Sequence, residues 1–155
     1  MNSSASDLVR RNTRQHATLL IVEDEPDQRL IVDYALKQTL DSVELVWAGN
    51  EIEALQHLDE CIGQMLPLPR LVLLDLYLPR VQQGWYFLEQ IRSHSWQRHM
   101  PVIAFSNSQA PADIIKAYDL GANSYITKPA TADQWLDYFR AMRIYWWETV
   151  TLPLS

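Results

Sequence analysis

Short apolar runs of strand length alternate along this chain with longer stretches of helical periodicity, and that alternation strongly limits the possible folds. Such a pattern is typical of βα units, whose strands join in parallel into one sheet. Three of the runs are almost unbroken in apolar residues, as expected of central strands that helices cover on both faces. We therefore predict an α/β fold, a doubly wound five-stranded parallel sheet with five helices. The predicted strands span residues 18–22, 43–48, 71–74, 102–105 and 124–126.

Several of the intervening helices have recognisable starts. Pro26 suits a first helical position, while the pairs Asn50 with Glu53 and Thr131 with Gln134 have the spacing of capping interactions. These signals predict helices over residues 27–40, 50–62, 84–93 and 112–120, the fourth closed by Gly121, and a fifth from residue 131.

The composition excludes several classes of protein. A length of 155 residues suits one domain, and we predict a flexible polar arm over residues 1–16, a single domain over 17–150 and a tail over 151–155.

The net charge of −6 argues against nucleic-acid and anionic-membrane surfaces, which require basic patches, so we expect protein partners. Cys61 is the only cysteine, which precludes an intrachain disulfide. With no signal peptide or membrane span in the sequence, we expect a soluble, cytoplasmic protein.

Polar side chains follow four of the predicted strands. Glu23 and Asp24 follow the first strand, Asp75 the third, Ser106 the fourth and Lys128 the fifth. Because the carboxyl ends of parallel strands line the crevice in which open α/β sheets bind ligands, we expect these side chains to meet there.

This set of groups suits phosphoryl chemistry. An aspartate such as Asp75 can attack a phosphoryl group only if the negative charge of the phosphate is offset, and Mg²⁺ with two or three protein oxygens can do this. Glu23 and Asp24 would supply further oxygens, Lys128 a point charge and Ser106 a hydroxyl donor. Each group alone has an ordinary explanation, such as an acidic helix start or a turn residue. Their coincidence at successive strand ends is what indicates a site.

The motifs VED, LLDLYLP, a serine after the fourth strand and GANSYITKP together resemble the receiver domain of two-component response regulators, from about Leu19 to the end of the last helix. The resemblance implies a flavodoxin-like sheet of strand order 2-1-3-4-5 and a histidine kinase that phosphorylates Asp75. It also implies that Asp24 binds Mg²⁺ directly, Glu23 through water and Tyr77 through its backbone carbonyl.

The same resemblance implies further roles. Lys128 would contact the phosphoryl group and precede a cis peptide bond at Pro129, while Ser106 and Tyr125 would form the switch that responds to phosphorylation. Asn107 departs from the family pattern, because a smaller residue is usual beside the phosphoryl site. Tyr77 departs too, and we hypothesise that its bulk slows hydrolysis of the acyl phosphate; the alternative is a tyrosine without kinetic effect.

The C-terminal region carries more aromatic residues than one buried stripe requires. One set recurs at helical spacing and is interpreted as core: Trp135, Leu136, Phe139, Met142 and Trp146. A second set lies off that stripe and is harder to bury in a monomer: Tyr138, Tyr145 and Trp147. An aromatic excess favours a protein interface, and the ending YWWETVTLP is similar to single-domain regulators that partner phytochrome-type histidine kinases, several of which form homodimers. The alternative is a tail that folds over its own domain.

We therefore expect a single-domain response regulator in a phosphorelay, which signals through its own surface because no DNA-binding or catalytic segment follows. It would be a phosphoacceptor that catalyses its own phosphotransfer and slow autodephosphorylation, rather than an enzyme. One alternative is a receiver-fold interaction module that is not phosphorylated. Another is an aspartyl phosphohydrolase of the haloacid dehalogenase type, but that class needs a second aspartate where Tyr77 stands. A flavodoxin-like cofactor carrier lacks support, since no glycine-rich loop follows the first strand.

Overall fold

A computed structural model describes residues 17–94 and 98–153, which form one parallel sheet with helices on both faces. The strands lie in the order β2-β1-β3-β4-β5, and every pairing between neighbours is parallel. They are β1 (Thr18–Val22), β2 (Glu44–Ala48), β3 (Leu71–Asp75), β4 (Val102–Ser106) and β5 (Ser124–Thr127). The predicted fold class and strand order are confirmed. The predicted N-terminal arm, residues 1–16, and the last two tail residues lie outside the described part of the chain.

Within the described ranges, five α-helices connect or follow the strands. They are α1 (Pro26–Thr39), α2 (Glu51–Gly63), α3 (Val81–Ser93), α4 (Pro111–Asp119) and α5 (Ala132–Arg143), with a π-helical turn at Ile144–Thr149 after α5. Both predicted capping pairs form. The Glu53 N–H donates to Asn50 Oδ1 at 2.9 Å, and the Gln134 N–H donates to Thr131 Oγ1 at 3.2 Å. In the described part of the chain, no helix combines the length and the apolarity that a bilayer crossing requires.

The described residues form two separate cores that hold the helices against the sheet, and β3 contributes to both. Leu71 and Leu73 face the core formed with α1 and α5, whereas Val72 and Leu74 face the core formed with α2, α3 and α4. This alternation follows from the two-residue period of a strand. Because β3 is buried along its whole length, the backbone of Asp75 at its carboxyl end is held in a fixed position.

The helix α3 begins at Val81, three residues before the predicted start at Gly84. The backbone N–H of Arg80 donates to Gln83 Oε1 at 3.1 Å, so Gln83 caps the helix at a position without a common capping residue. Gly84 lies inside the helix, at a point where the backbone of Leu76 passes so close that there is no room for a side chain. A Cβ on Gly84 would lie 2.8 Å from Leu76 Cα and 2.9 Å from Leu76 C.

We expect Gly84→Ala to reduce the free energy of unfolding by about 2 kcal/mol, because the added methyl group must push α3 away from the loop after β3. Urea unfolding would measure the change. Gly63→Ala is the matched control, since a Cβ there meets nothing within 4 Å. Alanine is the better helix former, so this control should be neutral or stabilising by at most about 1 kcal/mol. Equal stability of Gly84→Ala and the wild type would contradict the close approach.

The aromatic residues of the last helix follow the prediction in part. Trp135, Phe139 and Met142 are buried as predicted. The prediction that Trp147 is hard to bury in a monomer is wrong, because only 8% of this residue is exposed. The cause is the π-helical turn, in which the Val150 N–H donates to the carbonyl of Tyr145, five residues earlier. Its wider turn changes the angular position of the residues after α5 and brings Trp147 inward.

Candidate functional site

The acidic side chains predicted to meet at the carboxyl edge of the sheet do so. Asp75 is the last residue of β3, and Glu23 and Asp24 directly follow the adjacent strand β1. Ligand oxygens of these three carboxylates lie within 4.8 Å of one another. Glu23 and Asp75 are buried, at 4% and 6% exposure, whereas Asp24 is at most partly buried and is the most exposed of the three. The cluster therefore has a buried floor and one side open to solvent.

Lys128 reaches this cluster from the loop after β5. Its Nζ lies 3.0 Å from Asp75 Oδ2 and 3.4 Å from Glu23 Oε2. The Lys128 backbone N–H donates to the carbonyl of Ser106 at 2.9 Å, which fixes the loop against the end of β4. Burial opposes the positive charge of Lys128, but the carboxylates of Asp75 and Glu23 outweigh that effect and raise its pKa. The ammonium group is therefore held charged beside Asp75.

The negative charge at this edge exceeds the positive charge. Burial, and after it the neighbouring Asp75 carboxylate, raise the pKa of Glu23 to about 7, although Lys128 opposes this shift. Three carboxylates face one ammonium group, so a divalent cation would remove the excess charge. All the donors are oxygen atoms, as Mg²⁺, Mn²⁺ and Ca²⁺ require, and the exposed position of Asp24 gives a cation access.

Ser106 and Tyr125, the two predicted switch residues, meet at the loop between β4 and α4. Ser106 is fully buried, and its Oγ accepts a hydrogen bond from the Ser108 N–H at 3.0 Å. The half-buried Tyr125 donates its hydroxyl proton to the carbonyl of Ser108 at 2.6 Å. Both side chains therefore bind the same residue, Ser108. Asn107, between the two serines, is exposed to solvent.

Tyr77 contacts the site in two ways. Its backbone N–H donates to Asp75 Oδ1 at 3.1 Å, and its hydroxyl donates to Asp113 Oδ2 at 2.7 Å. The hydrogen bond to Asp113 raises the pKa of Tyr77, while the hydrogen bonds from Ser108 and Tyr77 lower the pKa of Asp113. The side chain is 37% exposed and leans toward α4. Sequence reasoning missed Asp113 and Ser108, and no motif connects either residue with Tyr77.

The prediction of a cis peptide bond at Pro129 is wrong. Among the described residues the cis bond is Leu78–Pro79, and the Lys128–Pro129 bond is not cis. The two isomers of a bond before proline differ little in free energy, so the surrounding structure decides between them, and a short motif does not.

A five-stranded parallel sheet in the order 2-1-3-4-5, with an acidic cluster and a lysine at its carboxyl edge, has the architecture of a receiver domain. Residues 19–140 match the response regulator receiver domain family, and the chain belongs to that family.

Similar proteins indicate which kind of response regulator the chain resembles. The chain is 32% identical over 140 residues to the response regulator Rcp1 of Synechocystis sp. (strain ATCC 27184 / PCC 6803 / Kazusa), covering 88% of this chain and 93% of Rcp1. The crystal structure of the phosphorylated cyanobacterial phytochrome response regulator RcpA is 32% identical with a TM-score of 0.79, covering 89% of this chain and 99% of RcpA. The crystal structure of the Mn²⁺-bound form of Rcp1 shows 30% identity and a TM-score of 0.75, and the match covers 88% of this chain and 99% of Rcp1. The predicted likeness to single-domain regulators of phytochrome systems is confirmed.

Proposed function

We propose that this protein is a single-domain response regulator whose Asp75 accepts a phosphoryl group from a histidine kinase. The observation that carries the proposal is the position of Asp75, a buried carboxylate with Lys128 Nζ 3.0 Å from one oxygen and two further acids beside it. One oxygen of Asp75 accepts from the Tyr77 N–H and the other from Lys128. These contacts orient the carboxylate within reach of the oxygens of Asp24 and Glu23.

The proposed cofactor is Mg²⁺. Asp24 and Asp75 would bind the ion through carboxylate oxygens, Glu23 through a water molecule and Tyr77 through its backbone carbonyl. When bound, the ion supplies positive charge that offsets the repulsion between the carboxylate of Asp75 and an incoming phosphate. The Mn²⁺-bound form of the relative Rcp1 supports a divalent cation. In this chain, Lys128 supplies a second positive charge for a phosphate oxygen.

Ser106 and Tyr125 are the proposed switch. Phosphorylation would add a charged group next to Ser106, whose hydroxyl can donate to a phosphate oxygen while its Oγ still accepts from Ser108. Any movement of Ser106 is transmitted to Tyr125, because both side chains bind the backbone of Ser108. The result would be a population shift of the loop between β4 and α4 and of the surface beside β5.

The proposed phosphodonor is a histidine kinase of the phytochrome type. Support comes from the relative RcpA, which is described as a phytochrome response regulator. The kinase partner implies a cytoplasmic location, and the free, buried Cys61 is compatible with a reducing compartment. Slow autodephosphorylation belongs to the same proposal, since Asp75 has little exposure to water.

Labelling with a small phosphodonor tests this function. Incubated with acetyl phosphate and Mg²⁺, the protein should gain the mass of one phosphoryl group, and proteolytic mapping should place it on the peptide that contains Asp75. Excess EDTA should reduce the labelling strongly, because Lys128 alone leaves the acidic cluster with excess negative charge. A label on another residue, or no label with Mg²⁺ present, would support the alternative of a receiver-fold module that is not phosphorylated.

We further propose that the protein forms a homodimer through the face beside β5. This strand is an edge of the sheet, and a groove of about 460 Å³ lies between it and the end of α5, lined in part by Tyr138, Tyr145 and Trp146. Tyr145, which lines the groove, is 53% exposed, and Tyr118, whose hydroxyl accepts from the N–H of Tyr125 in β5, is 47% exposed. Exposed aromatic side chains beside an unpaired strand edge favour association.

Sedimentation analysis of the wild type should therefore give the mass of a dimer, while Tyr145→Asp should sediment as a monomer. Tyr34→Asp introduces the same charge at an exposed tyrosine on α1 and should leave the dimer intact. A monomeric wild type at high protein concentration, with and without phosphorylation, would rule out the dimer.

A further inference from the structure

One carboxylate oxygen connects the two loops that flank the phosphoacceptor. Oδ2 of Asp113 accepts from the Tyr77 hydroxyl at 2.7 Å and from Ser108 Oγ at 2.6 Å. Tyr77 belongs to the loop after β3, and Ser108 belongs to the loop after β4. Asp113 itself lies in the first turn of α4, where a negative charge is favourable. Two charge-assisted hydrogen bonds at one oxygen thus join three segments of the chain.

The path of the Tyr77 side chain follows from the sheet order. The strands β3 and β4 are neighbours, with Asp75 paired with Phe105, and α4 begins beyond β4. A side chain that starts two residues after Asp75 and ends at Asp113 must pass the carboxyl end of β4. Ser106 is the last residue of that strand. The Tyr77 side chain therefore runs from the backbone beside Asp75, to which its N–H donates, to Asp113 at the start of α4, to which its hydroxyl donates.

Ser108 is fixed at all its polar groups. Its N–H donates to Ser106 Oγ, its carbonyl accepts from the Tyr125 hydroxyl, and its own Oγ donates to Asp113. Because Ser106 and Tyr125 both form hydrogen bonds with the backbone of Ser108, its position determines where their side chains lie. Because Asp113 holds Ser108 and Tyr77 at the same oxygen, displacement of one changes the hydrogen bond of the other.

We propose that Asp113 is a positioning residue for the phosphorylation cycle: it clamps the Tyr77 ring over the phosphoacceptor and ties that ring to the loop that carries the switch. The inference rests on the proposed phosphorylation of Asp75. This clamp differs from an effect of Tyr77 bulk alone. A tyrosine ring whose hydroxyl is not held by Asp113 can move aside, and the phosphoryl group is then open to water. The lifetime of the phosphorylated protein therefore depends on Asp113, which does not touch the phosphoryl group.

The test uses Tyr77→Phe, which keeps the ring and removes the hydroxyl, and Asp113→Ala, which removes the acceptor. After labelling with acetyl phosphate and Mg²⁺ and removal of the donor, each variant should lose phosphate about fivefold faster than the wild type, the factor that one net hydrogen bond confers on a conformational equilibrium. Asp113→Ala also removes the acceptor of Ser108, so the double variant should be no faster than Asp113→Ala alone, because the Tyr77 hydroxyl then has no partner left to lose.

Two matched controls accompany these variants. Tyr86→Phe removes a hydroxyl from an exposed tyrosine on α3, and Asp133→Ala removes a first-turn carboxylate from α5. Both should keep the wild-type phosphate lifetime. Thermal unfolding of every variant separates the clamp from a general loss of stability, because lifetimes are compared at a temperature at which all variants are folded.

Wild-type lifetimes in Tyr77→Phe and Asp113→Ala would overturn the clamp, and so would a double variant whose acceleration equals the product of the single effects. In both cases the wild type still takes up phosphate, so the proposed function stands. A wild type that takes up no phosphate overturns the proposed function and the clamp together.

Discussion

Asp75→Asn should take up no phosphoryl group from acetyl phosphate and Mg²⁺ under conditions that label the wild type completely. The substitution keeps the shape of the side chain, so the fold is expected to persist, but an amide has no nucleophilic carboxylate oxygen. It also removes the negative charge that Lys128 Nζ contacts at 3.0 Å. The expected effect is all-or-none, and intact-protein mass measurement detects it directly.

The matched control for this variant is Asp24→Asn, at the most exposed acid of the same cluster. Asp24 is proposed to bind the metal ion and not to form the phosphate bond. This variant should therefore label more slowly, with the phosphate still on Asp75, and a higher Mg²⁺ concentration should partly restore its rate. Equal labelling of Asp75→Asn and the wild type would refute the central assignment.

The sheet and the acidic cluster could be predicted from the sequence because both depend on local signals. Apolar runs identify strands such as Leu71–Asp75, and side chains at the carboxyl ends of parallel strands meet whatever the details of the helices. Helix starts were predictable where a capping side chain was present, as at Asn50 and Thr131. The start of α3 was not, because Arg80 is not a common capping residue and Gly84 resembles a loop residue.

The remaining features arise from tertiary contacts between distant parts of the chain. Asp113 follows Tyr77 by 36 residues, and their hydrogen bond depends on how α4 lies beside the end of β4. Trp147 is buried because the last helix widens into a π turn, a change that no apolar periodicity indicates. The trans bond before Pro129 likewise depends on its surroundings. Sequence patterns thus predict which groups gather at the site, while the hydrogen bonds that orient them require the structure.

The acidic cluster also has an energetic cost that should be measurable without any phosphodonor. Glu23 is buried against Asp75, with Lys128 at 3.4 Å and the exposed Asp24 next to it in sequence. Burial and the Asp75 charge raise the pKa of Glu23 from 4.5 to about 7. The folded protein therefore binds a proton on Glu23 at pH values at which the unfolded chain has already lost it.

The sign of the pH dependence follows from this difference. Between about pH 4.5 and pH 7 the folded state binds more protons than the unfolded state, so the contribution of Glu23 lowers stability as the pH rises. The loss is complete above pH 7 and amounts to at most about 3 kcal/mol, since one pKa unit corresponds to about 1.4 kcal/mol. A glutamine at this position has no proton to lose and avoids this penalty.

Glu23→Gln should therefore be more stable than the wild type at pH 8 in EDTA, by up to about 3 kcal/mol, with a smaller difference at pH 5. The substitution also removes the ion pair between Glu23 and Lys128, which reduces the gain in the free energy of unfolding. Urea unfolding at both pH values measures it, and Glu44→Gln, at an exposed glutamate of β2, should change little. Mg²⁺ should stabilise the wild type more than Glu23→Gln, because a ligand stabilises the folded state according to its affinity. A Glu23→Gln variant less stable than the wild type at pH 8 in EDTA would show that Lys128 fully offsets the burial of Glu23.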